Sequence, residues 1–375
     1  VRKNFCDHHI LEFFNKALSA TSPLDSCLNT YFRGHKSLGA NDRKTIALAI
    51  YSMVRWQILL DFILIKNKRN VNWENRLELF KYSSFYDYIN DYSIPLHVRV
   101  SFPELYFNLL VKQYGEDKAK EICLISNTQA PTTVRVNTLK ISREKLFAIW
   151  EKKYEIKLSY TSPTGIIFSK RVNLFGMEEF KKGFFEVQDE ASQLIAALVN
   201  PFYKQQVLDF CAGSGGKTLA FAPSMQNQGQ IYLYDNRPFM LMQAKKRLKR
   251  AGIQNAQIIN DIKKFKHKVD WLLLDVPCSG SGTLRRNPDS KYRFSLSFLE
   301  ELLQKQRDIF HEALSFVKEK GKIVYATCSI LREENEEQIA YFMEKYNLKL
   351  VDKPFCTLPI ENGMDGFFGA VLTKK

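Results

Sequence analysis

The chain has 375 residues, 45% of them hydrophobic and 25% charged, which is enough for two or three domains with buried cores and excludes a disordered or fibrous chain. The 55 Lys and Arg against 40 Asp and Glu leave a formal net charge of +15, pointing to a polyanionic partner without separating RNA from DNA or an acidic membrane. Seven cysteines, an odd number with no Cys-x-x-Cys pair, argue against a disulfide framework and a zinc site, so a reducing cytoplasm and no metal are expected.

The stretch Val1 to His9 has no apolar core behind its basic residues, so export is not expected. Ile46 to Ile65 is the most apolar stretch, yet it contains Arg55, Gln57 and Asp61, and Ile46, Ile50 and Val54 recur at helical spacing. It reads as a core-facing amphipathic helix and not as a membrane span. Residues 1–130 read as almost wholly helical, with helix starts at Asn41-Asp42 and near Ser101-Phe102-Pro103-Glu104. This half carries no catalytic constellation, and RNA docking is its functional alternative to simple folding.

Residues 131–190 read as a small α/β domain: a strand at Val134 to Asn137, a helix from Ser142 to Lys153, and a hairpin turn at Ser162-Pro163-Thr164-Gly165 before Ile166-Ile167-Phe168. Residues 191–375 alternate strands with helices, the strands being Gln206 to Phe210, Gln230 to Tyr234, Ala256 to Ile259, Trp271 to Leu274 and Lys322 to Tyr325. Such alternation predicts a parallel sheet covered on both faces, with its ligand crevice at the C-terminal strand ends.

The first of these strands runs into Cys211-Ala212-Gly213-Ser214-Gly215-Gly216-Lys217-Thr218. A phosphate-binding Walker loop needs glycine where Cys211 stands, and the dinucleotide fingerprint needs glycine where Thr218 stands. An S-adenosylmethionine site remains, where small residues let the backbone approach the amino acid and sugar. Asp235 ends the next strand and can accept from both ribose hydroxyls, as it could for NAD. Asp261 and Asp275 end the two strands after it. Three acids converging on one crevice suit a cationic sulfonium nucleoside better than a pyrophosphate, although a single aspartate often only terminates a strand.

Cys278, after Asp275-Val276-Pro277, and Cys328, after Ala326-Thr327, each lie just past an apolar run, so neighbouring strands would bring the two thiols together. A thiolate there is a nucleophile suited to a pyrimidine ring. Cys6, Cys27, Cys123 and Cys356 read as ordinary small apolar residues.

Five ordered segments carry a resemblance: Gln188-Asp189-Glu190-Ala191-Ser192, Cys211 to Thr218, Asp275 to Gly282 with Arg285-Arg286-Asn287-Pro288-Asp289, Ala326 to Ser329 with Glu333-Glu334-Asn335, and Asp365-Gly366-Phe367-Phe368. On these the chain resembles the Sun/Fmu/RsmB family of RNA cytosine-C5 methyltransferases, and Leu38 to Arg55 resembles the NusB-type helical domain of its bacterial 16S members. The resemblance implies a Rossmann-like class I methyltransferase domain, S-adenosylmethionine as cofactor, and ribosomal RNA as partner; a monomer is expected. It implies cofactor contacts from residues 211 to 217, Asp235, Asp261 and Asp275. Spacing alone does not say which cysteine attacks: the Pro-Cys pair of DNA enzymes nominates Cys278, and the Thr-Cys pair of the RNA family nominates Cys328. By resemblance Cys328 adds to C6, Cys278 assists elimination, and Asp275 holds the base, carrying a proton if it donates to N3, which would require a pKa raised by burial. Arg285 and Arg286 are expected to hold phosphates around a flipped nucleotide. The chain departs from the family at Gly213-Ser214 and at Pro238-Phe239-Met240. The competing readings are a DNA cytosine methyltransferase, a non-catalytic RNA-binding factor and, more distantly, a P-loop nucleotidase.

Overall fold

The computed structural model describes residues 5–19 and 22–375, so Val1 to Asn4 of the N-terminal stretch lie outside the described residues. The chain forms two compact units. One consists of Val1–Gln129 with Thr283–Leu296, the other of Ala130–Gly282 with Ser297–Lys375. The boundary after Gln129 lies one residue from the expected end of the helical domain. The return of Thr283–Leu296 to the helical unit departs from the expected continuous 191–375 domain.

Among the described residues, every element of the first unit is helical. The expected helix from Ile46 to Ile65 is two helices, Ala40–Arg55 and Gln57–Lys66, bent by 69°. Ser101 accounts for the break: its hydroxyl accepts from the backbone N–H groups of Ile58 (3.1 Å) and Leu59 (3.3 Å), donors that a continuous helix would turn onto its own carbonyls. At the end of the first helix, the carbonyl of Arg55 accepts from the ammonium of Lys291 at 2.7 Å. Lys291 is 1% exposed, and its other donors reach the Ser101 carbonyl at 2.6 Å and Asn127 Oδ1 at 3.0 Å. Three N–H groups thus meet three acceptors, one of them at a helix C-terminus, where a cation is favoured. Nearby, Tyr31 donates to Glu12 at 2.8 Å and meets His9 Nδ1 at 2.7 Å, joining Phe5–Glu12 to Leu24–Gly34 by a polar network. No single helix among the described residues is long and apolar enough to cross a membrane.

The second unit holds two sheets. Strands β1 (Thr132–Val136), β2 (Ile156–Leu158), β3 (Gly165–Phe168) and β4 (Phe185–Val187) form an antiparallel sheet in the order β2-β3-β1-β4. Trp150, Leu146, Phe168 and Phe185 fill its core, because alternate residues of each strand and the apolar side of the helix Arg143–Trp150 face inward. The larger sheet adds β5 (Gln206–Asp209), β6 (Gln230–Leu233), β7 (Ala256–Ile258), β8 (Val269–Asp275), β9 (Val317–Thr327), β10 (Leu348–Leu350), β11 (Phe355–Thr357) and β12 (Phe367–Lys374). Its order is β10-β12-β9-β8-β5-β6-β7, with β11 paired to β12. The run from β7 to β9 is parallel, as expected. The last three strands are antiparallel additions that the parallel reading missed. Strand order reverses at β5 and β8, which opens the crevice at their C-terminal ends.

Lys291→Met keeps the length of the side chain and removes its donors, leaving three buried acceptors unsatisfied. It should destabilise the helical unit by on the order of 2–4 kcal/mol, measured by denaturant unfolding; an unchanged midpoint would mean that those acceptors find other donors.

Candidate active site

The C-terminal ends of β5, β6, β8 and β9 surround a cavity of about 570 Å³. Its floor is the turn after β5. Gly213 (φ 51°) and Gly215 (φ 79°) adopt left-handed backbone there, which side chains disfavour. A Cβ at Gly215 would press on the Ala244 side chain at 3.2 Å. Gly215 therefore shapes the turn from behind, while Cys211, Ala212, Gly213, Ser214, Gly216 and Lys217 line the cavity. The turn is held by cations that the sequence left unassigned. Arg247 donates to the Ser214 carbonyl at 2.9 Å and hydroxyl at 2.7 Å and pairs with Glu186 at 3.1 Å. Arg250 pairs with the same Glu186. Arg135, whose pKa burial pushes down to about 9, donates to Gln188 and to the Gly216 carbonyl. Arg247 and Arg250 both stand on the basic helix Pro238–Ala251.

Three aspartates line the cavity. Asp235 accepts from the Gly213 N–H at 2.8 Å and the Arg237 N–H at 2.9 Å, and the Arg237 guanidinium spans both its oxygens at 2.9 and 3.1 Å. Burial opposes its charge, but these donors outweigh it and hold the carboxyl below its ordinary range. Asp209, which sequence reading passed over, is 1% exposed. Thr218 donates to its Oδ2 at 2.7 Å, while Oδ1 is buried without a hydrogen-bond partner. Burial pushes its carboxyl up to about 7. Asp275 accepts from the Lys217 ammonium at 2.9 Å. Burial works against the Lys217 charge, yet Asp275 raises its pKa overall. The side chain of Asp275 is 31% exposed. Asp261, also expected at the cofactor, is placed differently from the other acids. It is exposed, lies outside the cavity, and accepts from the Lys263 N–H at the start of its own short helix, with Lys264 at 3.5 Å.

Parallel pairing of β8 with β9 sets Asp275 opposite Ala326 and brings Cys278 Sγ to 3.3 Å from Cys328 Sγ. Cys278 donating to Cys328, with Lys217 nearby, lowers the Cys328 pKa against the effect of burial; the same hydrogen bond and burial raise that of Cys278. The two loops are tied by Glu334, which is fully buried: it accepts from the Ser279 N–H (2.8 Å), the Ser279 hydroxyl (2.5 Å) and Gln306 (3.0 Å). Gln306 also donates to the Pro277 carbonyl at 3.1 Å. Thr327 donates to Asn335 at 2.6 Å, and Ser281 and Ser329 meet at 2.8 Å. Backbone packing requires Gly282, where a Cβ would stand 2.1 Å from the Gly366 carbonyl oxygen.

Arg285 departs from its expected place at the phosphates. Only 1% exposed, it belongs to the helical unit, and its own carbonyl accepts from Arg55 at 2.8 Å. So enclosed a side chain is not on offer to a phosphate; Arg286 is half-buried.

Residues 196–373 match the family described as 16S rRNA methyltransferase RsmB/F, and residues 102–174 match its ferredoxin-like domain. A Synechocystis sp. protein named probable ribosomal RNA small subunit methyltransferase B is 30% identical over 75% of this chain and 68% of its own length. The chain belongs to the RsmB/F methyltransferase family. The Proteus mirabilis ribosomal RNA small subunit methyltransferase B is 34% identical over 67% of this chain and 60% of its own, and the chain spans 60% to 70% of the length of such relatives. Among solved structures, a methyltransferase homologue from Pyrococcus horikoshii is similar, with 26% identity, a TM-score of 0.63, and coverage of 74% of this chain and 97% of that one. The fold is also that of PH0851, at 24% identity and a TM-score of 0.81 over 97% of both chains.

S-adenosylmethionine is the cofactor of this family, and the cavity fits it. The volume lies within the range of small-molecule sites, the turn presents backbone where a phosphate cradle is incomplete, and the orphaned Asp209 Oδ1 offers an anionic acceptor. Affinity for this cation-bearing ligand should rise with pH as Asp209 ionises through about 7, by at most about tenfold per pH unit. Calorimetry across that range tests it, and Asp209→Asn should flatten the profile.

Proposed function

We propose that the protein methylates C5 of a cytosine in small-subunit ribosomal RNA through a covalent bond from Cys328 to C6. The observation that carries this reading is the thiol pair at 3.3 Å at the mouth of the cofactor cavity, with the pKa of Cys328 lowered and that of Cys278 raised. Cytosine C5 is too weak a nucleophile to take a methyl group unaided. Addition of the Cys328 sulfur to C6 moves an electron pair onto C5, the standard use of an activated thiolate. S-adenosylmethionine, when bound, supplies the methyl group at a sulfonium. C5 then loses its proton to a base, the C6–sulfur bond breaks, and aromaticity returns. Cys278, held against Cys328, is assigned to assist that elimination. Asp275, fixed by Lys217, is set to accept from the exocyclic amine of the base. This differs from a role in which it donates to N3.

The names of the relatives support ribosomal RNA as the substrate class, and the formal charge of +15 agrees with a polyanion. Incubating the protein with labelled S-adenosylmethionine and ribosomal RNA from a strain lacking the enzyme should place 5-methylcytosine in the small-subunit RNA. Label confined to another RNA or another base would overturn the reading.

The two thiols separate in the cycle. Cys328→Ala should give neither product nor adduct, with transfer reduced by at least about 1000-fold, an effect expected when the nucleophile of a covalent route is removed. Cys278→Ala should transfer the methyl group and then stall as a protein–RNA species that survives denaturing gels. An adduct with the first variant and none with the second would exchange their roles.

A further inference from the structure

Taking Asp235 as the ribose acceptor, we propose that Arg237 is a built-in competitor for that position: its guanidinium holds the acceptor sites on Asp235 that the ribose diol takes, so the cofactor binds only as Arg237 swings away. An ionised carboxylate offers about four acceptor sites, and Asp235 has four donors on it. Oδ1 receives the Arg237 N–H and Nε, and Oδ2 receives the Gly213 N–H and Arg237 Nη2. The two backbone donors belong to the turn after β5 and to the start of the helix Pro238–Ala251, so they are fixed by the fold. Only the two guanidinium bonds can be exchanged. They are also the pair that a vicinal diol imitates, because each delivers two donors side by side to the two oxygens of one carboxylate.

Exposure fits an exchange of this kind. The Asp235 side chain is 3% exposed and stays in place, whereas that of Arg237 is 55% exposed and has solvent to move into. Arg237 lines the same cavity as Cys211 and Asp275. It comes two residues after Asp235, directly before the stretch Pro238-Phe239-Met240 where the sequence departs from the family. The competition is mild, because the Arg237 side of the pair is largely in solvent, where an ion pair is weakened and screened by salt.

Binding of S-adenosylhomocysteine, which lacks the sulfonium charge, isolates the effect. By calorimetry, Arg237→Ala should bind it roughly two- to fivefold tighter than the unmodified protein, matching the strength of an exposed ion pair. Arg237→Lys, which cannot span both oxygens, should show part of the gain. Raising the salt concentration should narrow the gap. In an Asp235→Ala background, the Arg237→Ala gain should disappear. Unchanged or weaker binding by Arg237→Ala, with Asp235→Ala still weakened, would overturn the competitor role and leave the ribose assignment standing. Full affinity in Asp235→Ala would overturn both.

Discussion

The parallel pairing of β8 with β9 is the constraint on which the site depends. It sets Asp275 opposite Ala326, and a shift by one residue would turn every side chain past the pair to the opposite face of the sheet. Two cysteines fifty positions apart in sequence then meet at 3.3 Å. Pairing alone does not hold them, because both lie in loops. The buried Glu334 does so by taking donors from the Cys278 loop and from the helix Leu296–Leu314 at once. A buried carboxylate is costly unless its acceptor sites are filled, and here they are filled by the groups whose positions matter to the thiols.

Electrostatics then divides the labour between groups of the same type. Asp209, Asp235 and Asp275 all line one cavity, yet each has a different environment. Asp209 keeps one oxygen unpaired in the interior, Asp235 is saturated with donors, and Asp275 leans on an ammonium. The thiols are divided likewise, one lowered and one raised by the hydrogen bond they share. Pairs of like groups driven apart by their surroundings are a common sign of acid–base chemistry.

Much of this was legible in the sequence where a strand ends in a short polar turn. The glycine turn, Asp235, Asp275 and both cysteines all follow apolar runs whose length marks a buried strand, and position at a strand end already implies the crevice. Legibility failed where tertiary partners decide. The spacing of Ile46, Ile50 and Val54 continues smoothly past Trp56, and nothing local announces that the hydroxyl of Ser101 will cap a second helix. Asp261 and Asp275 look alike in sequence, and the difference in their surroundings is not local: the short strand β7 is the sheet edge, and the Asp261 side chain accepts from the next backbone turn. Arg247 and Arg250 share a helix with exposed lysines, and only the position of Glu186 on β4 separates them. Of the strands after β9, β10 and β11 were missed because they have three residues each, too few to show a period.

Thr283–Leu296 leaves the catalytic unit just after Gly282 and completes the helical one. The helical unit is therefore discontinuous in the chain, and its buried ammonium comes from residue 291. During synthesis from the N-terminus, the helices up to Gln129 emerge long before that ammonium does. Until then the carbonyls of Arg55 and Ser101 and the amide oxygen of Asn127 must be satisfied by water, which keeps that part of the interior open. A fragment cut after Gln129 stays permanently in that state. Dissection of this protein into folded parts has to graft Thr283–Leu296 onto the helices, and vectorial folding has to finish its first unit after much of its second has been made.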